Sequence, residues 1–275
     1  MNSELHTEGI FQITTDIEFK VAALHTFRFQ YANNLVYRTF CNHLKMTPEN
    51  VHNLEDIPFI PIQFFKDKQL LSTTKVPVEI FTSSGTTGSL TSKHFVTDIE
   101  LYKNSYLTAF KQFYGNPSEF CIVALLPSYL EREGSSLIYM VNDLIEKSGH
   151  PKSGFFLHDT ERLNEQLTIL EARNTKTLLI GVSFALLDFC EKHQLKLNNT
   201  VIMETGGMKG RRKELIREEL HHLLKQGFGV DDIHSEYGMT ELLSQAYSKG
   251  NGIFKCPPWM KVLVRDTEDP FTYQS

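Results

Sequence analysis

Two periodicities divide the chain. From Asp16 to Met46 the apolar residues Ile17, Val21, Leu24, Phe27, Tyr31, Leu35 and Phe40 recur at steps of three to five, and no Gly or Pro intervenes before Pro48. That spacing predicts a helix along the whole stretch, with one apolar face. Pro58 and Pro61 then punctuate an aromatic connector, Ile57 to Phe65, which is expected to be extended because each proline disfavours helix at the residue before it. After about Val76 the rhythm becomes strand, loop, helix. Val78–Phe81 reads as a strand, followed by a hydroxyl- and glycine-rich loop and a helix near Asp98 to Phe113. Phe120–Leu126, Thr177–Val182 and Thr200–Glu204 are continuous apolar strands, each followed by a helical pattern: Ser135–Lys147, Phe184–His193 and a run ending near Lys225. Ile233–Glu236 and Met260–Val264 are predicted as two further strands.

Uninterrupted apolar strands alternating with helices indicate an α/β fold, its sheets mainly parallel and covered by helices on both faces. The expected organisation is an N-terminal helical segment and connector, residues 1–75, packed on an α/β domain of residues 76–275. There is no internal repeat and no low-complexity tract. Composition narrows the class without naming a function. The 275 residues are 41% hydrophobic and 22% charged, which suits a soluble globular protein. A formal net charge of −5 gives no reason to expect nucleic acid or an anionic membrane as partner. The longest apolar run, Phe120–Leu126, is too short to span a bilayer. Met1-Asn2-Ser3-Glu4 carries neither the basic stretch nor the apolar run of a secretory signal. Cys41, Cys121, Cys190 and Cys256 form no CxxC pair, which disfavours a zinc site or disulfide framework and suits a reducing cytoplasm.

Open parallel sheets bind ligands beyond the carboxyl ends of their strands, and four segments fall at expected strand ends. Thr82-Ser83-Ser84-Gly85-Thr86-Thr87-Gly88 puts five hydroxyls and two glycines in one loop, a set of donors suited to phosphate oxygens. It is not a Walker A loop, since its glycines are three apart and no Lys follows Gly88. Pro127-Ser128-Tyr129 and Gly206-Gly207 follow two other strands. Tyr237-Gly238-Met239-Thr240-Glu241 combines a ring able to stack on a base, a hydroxyl for a phosphate oxygen and a carboxylate for a hard cation. Taken singly, each has a plainer reading: a solvent loop for Thr82–Gly88, an ordinary helix start for Thr240 and Glu241.

Together, Phe-Thr-Ser-Ser-Gly-Thr-Thr-Gly and, about 150 residues later, Tyr-Gly-Met-Thr-Glu resemble the adenylate-forming superfamily. Leu126-Pro127-Ser128-Tyr129-Leu130-Glu131-Arg132-Glu133-Gly134-Ser135-Ser136 is similar to its acyl-protein synthetase branch, the fatty-acid ligases of bacterial luminescence. The resemblance covers roughly Ile57 to Val264 and implies the large N-terminal-type domain of such an enzyme. It implies an ATP- and Mg²⁺-dependent ligase that activates a carboxylic acid, of long-chain or other apolar type, as an acyl-adenylate. The acyl group would pass to a protein, CoA or another acceptor. Carried over residue by residue, Thr82, Ser83, Ser84, Gly85, Thr86, Thr87 and Gly88 would hold the β- and γ-phosphates. Thr240 would contact the α-phosphate and Glu241 the Mg²⁺, making these two the catalytic pair. Tyr237 would stack on adenine beside Gly206, Gly207 and Gly238. Ser128, Tyr129 and Met239 would line the acid pocket, placed between the Pro127, Gly206 and Tyr237 loops.

The sequence departs from the family pattern in two places. Ser89-Leu90-Thr91-Ser92 separates the hydroxyl-rich loop from Lys93, which is expected to reach a phosphate. The family's ribose-binding Asp and C-terminal catalytic Lys have no assignable counterpart here, so the chain reads as a fragment or as a protein that works without them. Two rival functions follow: a transferase using a ready-made thioester, and an inactive acyl- or nucleotide-binding subunit. Among other candidates, Lys209, Arg211, Arg212 and Lys213 are a solvated basic turn or an anion contact. His94 gains weight from its place beside the hydroxyl-rich loop. His158-Asp159 reads as a strand end with a capping Asp, and His221-His222 lacks the HExxH spacing of a zinc site. No Gly-x-Ser-x-Gly elbow occurs, and Cys121 and Cys190 read as buried, inert thiols.

Overall fold

A computed structural model describes residues 9–84, 90–128, 130–206, 215–269 and 272–274. By its contacts the chain forms two compact units, one of residues up to Asn104 together with those from Cys256 onward, the other Ser105–Lys255. The division falls inside a helix, Ile99–Tyr114, and the change of sequence rhythm near residue 76 lies within the first unit.

The first unit opens with helix α1 (Asp16–Asn33). Its start is fixed by a capping box: Glu18 N–H donates to the Thr15 hydroxyl, and the Glu18 carboxylate accepts from Thr15 N–H. The helix predicted to run to Met46 is broken at Asn34. There the backbone is extended (φ −103°, ψ 107°) and the side chain accepts from Tyr37 N–H at 3.0 Å, capping a second helix, α2 (Leu35–His43). A local side-chain bond thus competes successfully with helix continuation. The predicted stripe is only partly buried: Leu24 and Phe27 join Tyr37, Cys41, Val51 and Ile57 in a core, while Ile17, Val21 and Leu35 are exposed. The connector is not extended throughout, because Phe64–Asp67 forms a single helical turn, α3.

Strand β1 (Glu79–Thr82) pairs antiparallel with β2 (Lys93–Val96), an element absent from the sequence-based pattern. The hydroxyl-rich segment therefore joins the strands of a two-stranded sheet and does not lead from a parallel strand into a helix. Helix α4 (Ile99–Tyr114) follows.

The second unit holds a seven-stranded sheet among the described residues. Its strands are β3 (Cys121–Leu125), β4 (Gly154–Phe155), β5 (Thr177–Gly181), β6 (Thr200–Glu204), β7 (His234–Tyr237), β8 (Ala246–Ser248) and β9 (Phe254–Lys255), in the order β4-β3-β5-β6-β7-β8-β9. The first five are parallel, and β8 and β9 extend the sheet antiparallel. The connecting helices α5 (Ser136–Ser148), α6 (Thr160–Ala172), α7 (Ser183–Lys192) and α8 (Arg217–Phe228) flank it. Every residue of β3 and β5 is buried, as unbroken apolar runs require in a sheet covered on both faces. The predicted fold class is the observed one. The strand end with a capping Asp read at His158-Asp159 corresponds to the short β4, which ends at Phe155, and to the start of α6, whose N-cap is Asp159. The predicted strand at Met260–Val264 does not form: Pro257 and Pro258 interrupt the chain after β9, and among the described residues that follow, the pairing is an isolated Arg265–Tyr273 bridge.

Glycine has a specific task between α7 and α8. A Cβ on Gly227 would stand 2.3 Å from the Cβ of Cys190, so the two helices approach at a distance only glycine allows. Cys190 and Cys121 are both buried, and burial pushes the Cys121 thiol up to about 11, which keeps it protonated and unreactive. All four cysteines are free thiols.

Candidate functional site

Because β3, β5, β6 and β7 run parallel and adjacent, their carboxyl ends share one rim of the second unit. The loop after β3 closes on itself there. Ser128 donates to the Glu131 carboxylate through its N–H (2.7 Å) and hydroxyl (2.6 Å), and His158 Nε2 meets the same carboxylate at 2.6 Å. The hydrogen bonds from Ser128, then that from His158, pull Glu131 down to about 2. The Ser128 hydroxyl, placed by sequence in an acid pocket, is thereby engaged. Asp159 accepts from Arg162 N–H and caps α6, as predicted.

After β6 the chain turns through Thr205 and Gly206, the latter at φ 76°, where glycine is favoured. After β7 come Gly238, Met239, Thr240 and Glu241. Tyr237 is 41% exposed, sets its ring edge-on to Phe254 (6.2 Å) and donates its hydroxyl to Met239 Sδ at 3.1 Å. A Cβ on Gly238 would stand 2.6 Å from Glu236 Oε1, so a side chain at the second motif position would displace the end of the buried Glu236 carboxyl beneath it. The Glu241 carboxylate makes no hydrogen bond or ion pair among the described residues. Those residues also contain no cluster of three or more His, Cys, Asp and Glu able to hold a metal.

Beneath this rim lies a buried polar cluster. Glu204, at the end of β6, accepts from Gly206 N–H (2.6 Å) and the Ser183 hydroxyl (3.2 Å) and pairs with Arg217 (3.4 Å) and His221 (3.5 Å). Burial raises its carboxyl, but bonds from His221, Ser235 and Gly206, with the Arg217 charge, outweigh it and hold Glu204 below the usual range. Glu236, on β7, goes the other way: burial, reinforced by the Glu204 charge, pushes it up to about 8. Sequence reasoning passed over this pair, though a Glu ending the apolar run Thr200–Glu204 is the visible signal. His221, dismissed as a zinc ligand, is a buried partner of Glu204.

The other predicted phosphate contacts belong to the first unit. Ser83 and Ser92 clasp the base of the β1–β2 connection, Ser83 N–H donating to Ser92 O (3.1 Å) and Ser92 N–H to the Ser83 hydroxyl (2.9 Å). Thr82 ends β1 opposite the exposed Lys93, and Ser84 follows. His94 lines a cavity and sets its ring edge-on to Phe65 at 5.5 Å. Gly85, Thr86, Thr87, Gly88, Tyr129, Gly207, Lys209, Arg211, Arg212 and Lys213 lie outside the described residues.

No helix among the described residues is long and apolar enough to cross a membrane. Residues 14–140 match the family model described as "Acyl-protein synthetase, LuxE". A long-chain-fatty-acid–luciferin-component ligase of Aliivibrio fischeri is 26% identical over 265 residues, 88% of this chain and 68% of that protein. Its counterpart in Photorhabdus luminescens is 37% identical over 70 residues, 25% of this chain and 60% of that protein. The Vibrio harveyi protein is 46% identical over 63 residues, 22% of this chain and 16% of its own length. Among solved structures, a mutant form of coronafacic acid ligase from Pectobacterium brasiliense aligns at 18% identity and a TM-score of 0.40, over 57% of this chain and 32% of that one. The chain is homologous to the long-chain-fatty-acid–luciferin-component ligases and is related to the acyl-protein synthetase family.

Proposed function

We propose that this chain activates an apolar, long-chain carboxylic acid at the expense of ATP, with Mg²⁺, and hands the acyl group to a protein or other acceptor. A carboxylate oxygen forms the new bond to the α-phosphorus, and the bond to the bridging oxygen of pyrophosphate breaks. The products are acyl-adenylate and pyrophosphate. The observation that carries this reading is Tyr237–Glu241 at the carboxyl end of a parallel strand, in a chain whose relatives are named fatty-acid ligases.

The residues fit the groups the reaction requires. Mg²⁺ binds through one or two carboxylates completed by phosphate oxygens and water, not in an all-protein cage. Glu241, whose carboxylate is uncommitted, suits that arrangement. The ion supplies neutralisation of charge developing on the phosphates. Thr240 orients the α-phosphate, Tyr237 presents a ring to the base, and Gly206 and Gly238 allow close backbone approach. Thr82–Gly88 and Lys93 are assigned to the β- and γ-phosphates, and Ser128, Tyr129 and Met239 to the acid. There is little covalent work for side chains in this step, so positioning and charge stabilisation carry the rate.

Acid-dependent exchange of labelled pyrophosphate into ATP tests the proposal on the chain itself. Exchange that requires a fatty acid and Mg²⁺ is the expected result. A folded chain that transfers acyl groups from a thioester without ATP, or that turns over nothing, overturns it.

A further inference from the structure

The carboxylate of Glu204 stands where two turns of the rim begin. Strand register pairs Glu204 with Ser235, Ser235 with Ser248 and Ser248 with Phe254, so these side chains form a row across one face of the sheet. Tyr237, two residues beyond Ser235 on β7, shares that face. Helix α8 lays Arg217 and, one turn later, His221 on the row. Glu204 Oε2 accepts from Gly206 N–H at 2.6 Å, and this contact fixes a peptide plane. Because the Thr205–Gly206 bond is trans, a Gly206 N–H turned onto Glu204 directs the Thr205 carbonyl away from the buried cluster. Thr205 N–H is held in turn by Gly181 O at 3.0 Å, so both amides of the turn are anchored. Glu204 Oε1 reaches the neighbouring turn through Arg217. The Arg217 guanidinium meets Oε1 at 3.4 Å, donates to Ser235 Oγ at 3.2 Å and lies over the Phe254 ring, 4.9 Å from its centre. Phe254 is the ring against which Tyr237 stands edge-on. Gly252, at φ 67°, brings the backbone so close that a Cβ there would stand 3.1 Å from Arg217 Cδ, which confines the side chain from another side.

We infer that Glu204 is a positioning residue for the base of the bound nucleotide: one carboxylate sets the Gly206 turn directly and the Tyr237 ring through Arg217 and Phe254, and so fixes the two walls between which the base lies. The inference rests on the proposed function for the assignment of Gly206 and Tyr237 to adenine, and it adds a residue that itself touches no substrate. Stability gives little reason to keep a charge here, since an apolar cluster of the same volume often holds a fold as well or better than a buried ion pair. The donor set gives a reason. An ionised carboxyl is acceptor-only, so it suits a point where a backbone N–H, the Ser183 hydroxyl and a guanidinium converge from three elements. The adenine takes no part in bond-making at the α-phosphorus. A loosened base site should therefore weaken ATP binding while leaving the contacts to the phosphates in place.

Calorimetric titrations of the intact chain with Mg²⁺-ATP, and with Mg²⁺-tripolyphosphate, which lacks the base and ribose, test it. Glu204→Ala removes the acceptor of the Gly206 N–H, and Glu204→Gln keeps one. Arg217→Met keeps the apolar stem and removes the guanidinium that links Glu204 to Phe254. Leu163→Ala, in the buried core of α6 and outside the cluster, controls for lost stability. The expected result is ATP binding weakened about tenfold or more in Glu204→Ala and Arg217→Met, with tripolyphosphate binding unchanged. Glu204→Gln should fall nearer the wild type, and Leu163→Ala should bind both ligands as the wild type does. A folded Glu204→Ala chain that binds ATP like the wild type, or that loses ATP and tripolyphosphate in equal measure, overturns the inference. If Glu204→Ala does not melt cooperatively, Arg217→Met decides by the same criteria. Acid-dependent pyrophosphate exchange is followed in parallel. Exchange by a chain whose ATP binding is equal in every variant overturns the role of Glu204 and leaves the ligase reading standing. A wild type that binds ATP but never exchanges pyrophosphate overturns the ligase reading, while the variants still decide the role of Glu204. A wild type that binds no ATP overturns both.

Discussion

Glu204 and Glu236, on adjacent strands β6 and β7, hold opposite protonation states at neutral pH: four donors keep Glu204 ionised, while burial beside that charge keeps Glu236 protonated. Two carboxyls so close cannot both carry charge in a desolvated site, and the donor set decides which one does. The arrangement lies directly under Gly206 and Gly238, the two turn glycines assigned to the nucleotide. Glu204 holds the first through its N–H, and Glu236 occupies the space beneath the second.

The pair gives stability a defined pH profile. Glu236 has a folded-state value near 8 against an ordinary value of 4.5. Between those two the folded chain holds a proton that the unfolded chain has released. Stability therefore declines as pH rises through that window, and the loss is complete above about 8. Glu204, lowered, contributes stability that is present above the ordinary carboxylate range and is lost as pH falls through its folded value. Glu236→Gln removes the alkaline limb. Thermal melts at about pH 5 and about pH 9 should show the variant close to wild type in acid and more stable in base.

Replacing Glu204 by Gln tests the coupling directly. Gly206 N–H and the Ser183 hydroxyl keep an acceptor, while Arg217 and His221 lose their counter-charge. Both ion contacts are long, and the Arg217 side chain is 40% exposed and screened by water. The expected destabilisation is therefore about 1–2 kcal/mol, less than the loss from breaking a tight buried pair. Urea unfolding with an unchanged slope measures it. Because the Glu204 charge helps raise Glu236, the alkaline midpoint should also move down from about 8 in the same variant.

Much of the second unit was legible because its strands carry an unambiguous signal. Cys121–Leu125, Thr177–Gly181 and Thr200–Glu204 are continuous apolar runs, and a run of that kind has one stable home, the interior of a covered sheet. The first unit was less legible because local interactions overrode periodicity. Asn34 looks like any polar position in a helical repeat until its side chain is seen capping the next helix. β2 was hidden because Lys-His-Phe-Val lacks the alternation of a half-buried strand, and without it the hydroxyl-rich segment reads as a strand-to-helix loop. At the site, residue chemistry was visible in Tyr237–Glu241, whereas the Glu204–Glu236 pair depends on register between strands about thirty residues apart, which no local pattern records.

Gly227→Ala sets two effects of opposite sign against each other. In an exposed helix the change is favourable by about 1 kcal/mol. Here the new methyl would sit 2.3 Å from the Cβ of Cys190, an atom tied to the α7 backbone and unable to rotate away. Overpacking of this kind is destabilising by about 1–3 kcal/mol or more, so the clash wins. Cys190→Gly in the same chain removes the obstructing atom and should restore part of the lost stability. Chemical denaturation of the single and double variants reads the coupling.

Thr240→Ala and Glu241→Gln probe the chemistry while sparing the fold. Neither side chain belongs to the buried core, and the Glu241 carboxylate supports no bond among the described residues, so thermal midpoints should stay near wild type. If Thr240 orients the α-phosphate, loss of its hydroxyl removes one contact to a centre where charge develops, an effect worth about 10²–10³-fold in rate. Glu241→Gln keeps shape and removes charge, so its defect should grow as Mg²⁺ is lowered and partly recover when Mg²⁺ is raised. A defect independent of Mg²⁺ would place Glu241 elsewhere in the reaction. Because both residues serve the same phosphate and its ion, the double variant should lose no more than the product of the single losses and little pyrophosphate exchange should remain. Full exchange activity in a folded double variant would remove Tyr237–Glu241 from the catalytic machinery and with it the main support for adenylation.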